Sequence, residues 1–140
     1  MSSLKSVTDA VASVAERSFF AFAETTDADV PVAGDCYEIC VAFTGAFAGV
    51  VRIVMPIALA HELCTAFSGL GPDDVIAQDS LSDLAGEFGN MACGTWLTGL
   101  DEPVCFSLTT PVVSQRSEPG KRAVMLVNDQ PISVELEIER

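Results

Sequence analysis

The chain has 140 residues, a length that suits one domain. Apolar residues make up 49% and charged residues 19%, so a sizeable core is available and wholesale disorder is excluded. There are 20 acidic residues against 7 basic ones, a net charge of -13, which excludes neutralising a run of phosphates and argues against both nucleic acid and anionic lipid as partners. The simplest role of the charge is solubility and self-repulsion, ahead of a basic protein partner.

Leu4 to Glu24 carries Leu4, Val7, Val11, Val14 and Phe22, with Ala15 and Ser18 between, at three- and four-residue steps, which predicts a helix. No basic stretch followed by an apolar one occurs in Met1 to Ser13, so a reducing, cytoplasmic setting is expected. Thr25 to Gly34 is polar, contains Pro31, and predicts a loop or short irregular strand. Asp35 to Phe43 and Phe47 to Met55 predict two strands of a hairpin around Gly45. The same region, Ile39 to Ala60, is long enough to consider as a membrane span. Arg52, Gly45, Gly49 and Pro56 argue against that and for strands and a turn.

Pro56 suits the first turn of a helix over Ile57 to Phe67, which should end near Gly69 and Gly71. Pro72, Asp73 and Asp74 predict a second helical start, running through Leu97 with a break near Ala77 to Asp79. Leu100 to Pro103 predicts a turn and Val104 to Val113 a strand. Ser114 to Lys121 predicts an exposed hairpin loop whose basic residues only offset local charge. Arg122 to Asn128 and Ile132 to Glu139 predict two more strands joined by Asp129, Gln130 and Pro131. Helix, two strands, two helices and three strands make an α+β chain with a largely antiparallel sheet packed with helices, expected as one domain over residues 1–140.

Five cysteines occur, Cys36, Cys40, Cys64, Cys93 and Cys105, with no Cys-x-x-Cys pair. His61 is the only histidine, so no metal site is expected and the thiols read as small core residues. His61 itself reads as a surface or packing residue, and no phosphate-binding glycine loop is present.

The informative stretch is Ser80 to Trp96. At about 100° per residue, Asp83, Glu87, Asn90 and Gly94 fall on one narrow stripe. Leu81, Leu84, Phe88, Met91 and Thr95 form a second stripe, the expected core face. Gly86, Gly89, Cys93 and Trp96 form a third. Each interior glycine costs about 1 kcal/mol relative to alanine, so the small stripe predicts close packing on a second side. The remaining side presents a carboxylate and a carboxamide one turn apart. By residue type alone, that side also fits an ordinary solvated face.

Asp83-x-x-x-Glu87-x-x-Asn90, with Gly94 four residues on, resembles the signature helix of the CheC, CheX and FliY group of chemotaxis phosphatases. CheC and FliY usually carry two such helices. The single copy, the length and the element order resemble CheX. Ser107 to Val113, with Pro111, also looks like the strand that follows the signature helix, although Ser114 or Gln115 stands where a glycine is expected. The resemblance implies a phosphatase that hydrolyses the aspartyl phosphate of a CheY-like response regulator. Asn90 would orient the attacking water and Glu87 would pair with the regulator's lysine. Asp83 and Gly94 would contact that protein substrate. Mg²⁺ is expected on the partner, and no cofactor on this chain. The resemblance also implies homodimers formed through the sheets. Two other functions stay open: an adaptor that docks on a regulator without hydrolysis, and a structural dimer subunit.

Overall fold

A computed structural model of the chain describes residues 3–26, 30–32, 34–69, 71, 75–100, 106–117 and 121–139. Its three helices are α1 (Ser3–Phe19), α2 (Ile57–Ser68) and α3 (Gln78–Thr98). The strands are β1 (Ala23–Thr25), β2 (Pro31–Val32), β3 (Cys36–Thr44), β4 (Ala48–Pro56), β5 (Ser107–Leu108), β6 (Val112–Arg116), β7 (Lys121–Arg122), β8 (Met125–Val127) and β9 (Gln130–Glu139). A seven-stranded antiparallel sheet runs β1-β8-β9-β4-β3, with β5 and β6 both pairing β3. A two-stranded ribbon joins β2 and β7. This is the expected α+β class.

The alternation of β3 explains the layering. Tyr37, Ile39, Val41 and Phe43 are fully buried, while Glu38, Cys40 and Ala42 on the other face are only partly so. Val51, Ile53 and Met55 of β4 and Ile132 and Val134 of β9 continue the buried face. Against it pack Val7, Val11 and Val14 of α1, Leu59 and Leu63 of α2, and Leu84 and Phe88 of α3 in one core. The opposite face carries charge: Arg52 pairs with Glu137 across β4 and β9 at 3.0 Å, and Arg116 pairs with Glu38 across β6 and β3 at 2.6 Å. A second small core of Val32, Cys36, Val54 and Ala123 lies apart from the helices, by the ribbon.

The predicted hairpin of Asp35–Phe43 and Phe47–Met55 forms, with Cys36 opposite Pro56 and Phe43 opposite Gly49. No described helix is long and apolar enough to cross a membrane. Several boundaries differ from the sequence reading. The first helix stops at Phe19, five residues early, because Phe20 takes a left-handed φ of 57° and the Ala21 N–H turns back to the Ala15 carbonyl. Phe22 is therefore outside the helix and exposed. The third helix starts at Gln78, so Val75 to Ala77 is not helical; Pro72 to Asp74 and the Asp101 to Cys105 part of the predicted turn and strand lie outside the described residues. The predicted Val104–Val113 strand is two pieces, β5 and β6, interrupted at Thr109 to Pro111. Proline cannot donate to a ladder. The expected loop from Ser114 begins as strand, and Arg116 there holds Glu38 instead of only offsetting charge. Gln130 and Pro131 belong to β9. The turn is the two-residue Asn128-Asp129, both left-handed at φ 50° and 65°, as a tight hairpin requires.

Candidate functional site

α3 lies on the inner face of β3 and against α1 and α2. Its Leu81, Leu84, Ala85, Phe88, Ala92, Cys93, Trp96 and Leu97 are buried. Two sides are packed, as the small stripe predicts. A Cβ at Gly89 would stand 2.5 Å from Ile39 Cγ2, closer than any real contact, so glycine lets α3 settle on β3. Trp96 packs edge-on against Phe43 with ring centroids 5.4 Å apart. Thr95, placed on the core face by periodicity, is exposed, and Met91 is only half-buried. The buried arc is rotated toward Ala85 and Ala92 instead.

Burial pushes the Cys93 thiol up to about 11, so at neutral pH it is a protonated, inert core group. Cys36 and Cys40 are also raised, first by burial. Cys105 lies outside the described residues. His61 is half-buried on α2, its carbonyl accepting the Thr65 hydroxyl. Among the described residues, no group of three or more His, Cys, Asp or Glu is placed to hold a metal ion.

The third side of α3 carries the stripe. Asp83 and Glu87 are exposed and Asn90 is half-buried. Spacings of four and three place them along one face, with neighbouring Cβ atoms about 5–6 Å apart. Together with Ser82, Gly86, Thr110, Pro111 and Val113 they line a cleft of about 310 Å³. Gly94 does not line that cleft. It lines a shallow, mostly apolar basin one turn further on, with Met91, Thr95, Thr98 and Gly99. Periodicity brought Asp83, Glu87 and Asn90 together; it could not supply the opposite wall, which comes from the β5–β6 break. Pro111 was the available signal for that break.

One feature distinguishes this cleft from an ordinary solvated face. Asn90 Oδ1 is buried and has no hydrogen-bond partner among the described residues, an arrangement that costs about 1–3 kcal/mol and that Tyr37 Oη, Trp96 Nε1 and Ser133 Oγ share elsewhere in the fold. Asp83 and Glu87 have no ion-pair partner among the described residues, the ordinary condition of an exposed carboxylate in a chain with 20 acidic residues against 7 basic ones. The cleft is thus a set of unengaged acceptors on a rigid helix, able to take a cation and to orient a hydrogen-bond donor. Its lining residues include no cysteine and no histidine.

This fold is shared with solved chemotaxis proteins. CheX from Vibrio vulnificus matches with a TM-score of 0.72 at 18% identity, over 99% of this chain and 97% of that one. CheX from Desulfovibrio desulfuricans matches with a TM-score of 0.72 at 19% identity, over 99% of this chain and 100% of that one. The CheX in a CheX–CheY–BeF3–Mg complex from Borrelia burgdorferi matches with a TM-score of 0.65 at 18% identity, over 99% of both chains. No curated protein matches the sequence. The model of the family described as chemotaxis phosphatase CheX matches residues 37–134, and the chain belongs to that family.

Proposed function

We propose that this chain accelerates hydrolysis of the aspartyl phosphate of a CheY-like response regulator, with Glu87 and Asn90 as its working side chains. The observation that carries the proposal is the pairing, on one face of α3, of an unpartnered buried carboxamide oxygen with a carboxylate that has no ion-pair partner among the described residues. The CheX–CheY complex from Borrelia burgdorferi supports the choice of partner.

The chemistry fits these residue types. Water attacks phosphorus in line, its O–P bond forms, and the bond to the aspartyl oxygen breaks with the electron pair leaving on the carboxylate. Asn90 Oδ1 accepts a hydrogen bond from that water and aims its lone pair. It takes no proton and brings no charge beside the phosphoryl group. The water's proton passes to solvent or to the departing carboxylate. Glu87 accepts from the partner's lysine, a charge-assisted contact that fixes orientation. Asp83, one turn earlier, extends the acidic rim toward the same partner. Mg²⁺ on the regulator supplies the remaining charge stabilisation. The protein works in the cytoplasm, where such regulators reside, and as a homodimer. Light scattering at several concentrations should give twice the chain mass, and one chain mass throughout would remove the dimer.

The experiment phosphorylates regulators from the source organism with a small phosphodonor and follows their decay with wild type, Glu87→Ala and Asn90→Ala. Wild type should accelerate one regulator, and Asn90→Ala should not. Binding without acceleration would leave the adaptor as the better account.

A further inference from the structure

The wall opposite α3 is built to hold still. Thr109 is clipped to β3: its N–H donates to the Ala42 carbonyl at 2.9 Å, and its hydroxyl lies 3.2 Å from the Ala42 N–H and 3.3 Å from the Ala42 carbonyl. Three residues on, β6 resumes pairing with Val112 opposite Cys40. Thr110 and Pro111 are therefore a short bend anchored at both ends. Thr109 does the structural work. The Thr110 hydroxyl makes no hydrogen bond among the described residues, is exposed, and lines the cleft that Glu87 and Asn90 line.

The gap between the walls depends on Gly86. A Cβ there would sit 3.4 Å from Val113 Cγ2 and 3.5 Å from Pro111 Cγ, ordinary contact distances. Packing would accept alanine and the helix would gain from it, unlike at Gly89. A side chain at residue 86 would fill the cleft floor rather than collide with the core.

We propose that Thr110 and Gly86 are docking residues for the same phosphorylated regulator. A loop of that protein enters between α3 and the Thr110–Pro111 bend, hydrogen-bonded by the Thr110 hydroxyl and admitted by the missing Cβ of Gly86. This rests on the function proposed above. The acidic rim of Asp83 and Glu87 on the facing wall favours a cationic loop. The contact is made equally in ground and transition states, so it belongs to affinity and not to the chemical step.

The test uses the regulator that wild type dephosphorylates. Its KM and kcat, and binding to its beryllofluoride- and Mg²⁺-loaded form, are measured for wild type, Thr110→Val, Thr110→Ser and Gly86→Ala. Loss of one hydrogen bond should raise KM by about 3- to 10-fold in Thr110→Val with kcat unchanged. Thr110→Ser, which keeps the hydroxyl, should stay within about twofold of wild type. Gly86→Ala should raise KM while its melting temperature holds or rises. Wild-type KM in Thr110→Val, or equal damage in Thr110→Val and Thr110→Ser, would overturn the role of the hydroxyl while leaving Glu87 and Asn90 in place. Wild-type KM in Gly86→Ala would overturn the open floor. A wild-type protein that neither binds nor dephosphorylates any regulator would overturn the function and this inference together.

Discussion

The inward and outward sides of α3 follow opposite rules. Inward, apolar packing fills the space, although Trp96 Nε1 and Tyr37 Oη lie buried there without a hydrogen-bond partner among the described residues. Phe88 is fully buried, with its ring centroid 5.4 Å from that of Phe19, and Gly89 is small because Ile39 stands where a Cβ would go. Outward, among the described residues, Asn90 Oδ1 has no hydrogen-bond partner and Asp83 and Glu87 hold no cation, and Gly86 and Gly94 have room for a methyl group. A helix shaped only for stability would fill those positions. The inner side is closed by packing, whereas the outer side sets its unpartnered acceptor at a cleft that a second molecule can enter.

The two sides should come apart under mutation. Phe88→Ala opens a cavity in the core and should cost about 3–5 kcal/mol of stability, read by chemical denaturation. A loss below about 1 kcal/mol would mean that α3 is less firmly seated than its burial implies. The buried thiol gives a second, smaller contrast. The pKa of Cys93 is raised in the folded state, from 9.0 to about 11, so its contribution to stability is fully present below pH 9 and is lost as pH rises toward 11. Cys36, Cys40 and Tyr37 are raised in the same direction, so melting temperature should fall through that window. Cys93→Ala should make the fall shallower, and an unchanged slope would contradict its burial as a thiol. The smallest effect belongs to Gly94→Ala. Its Cβ would meet only Leu108 Cδ1 at 3.8 Å, so the chain should gain up to about 1 kcal/mol, while docking of the regulator weakens. Loss of stability would instead place Gly94 with Gly89, on the structural side.

Sequence periodicity read one half of the site better than the other. The outward stripe of α3 was legible because a single helix carries it and its spacing is local. The same locality made the β3–β4 hairpin legible through alternating burial and Gly45. What was not legible came from contacts distant in sequence. Thr110, Pro111 and Val113 form the second wall only because β6 pairs with β3, bringing Val113 beside Ile39. Arg116 finds Glu38 through that same register. Phe20 ends α1 in a left-handed conformation without the glycine that usually marks it, so the apolar period of the sequence ran on to Phe22. Thr95 was misplaced because an ideal wheel does not know which neighbours α3 meets.

The separation of the two sides can be tested in one comparison. The decay of the regulator's acyl phosphate would be timed with wild type and with Asn90→Ala, after thermal melting has shown both to be folded alike. An Asn90→Ala protein that melts like wild type but loses about 100-fold in dephosphorylation is the predicted result. A rate equal to wild type's would contradict the account, because the one buried, unpartnered acceptor on the outer face would then have no part in the chemistry.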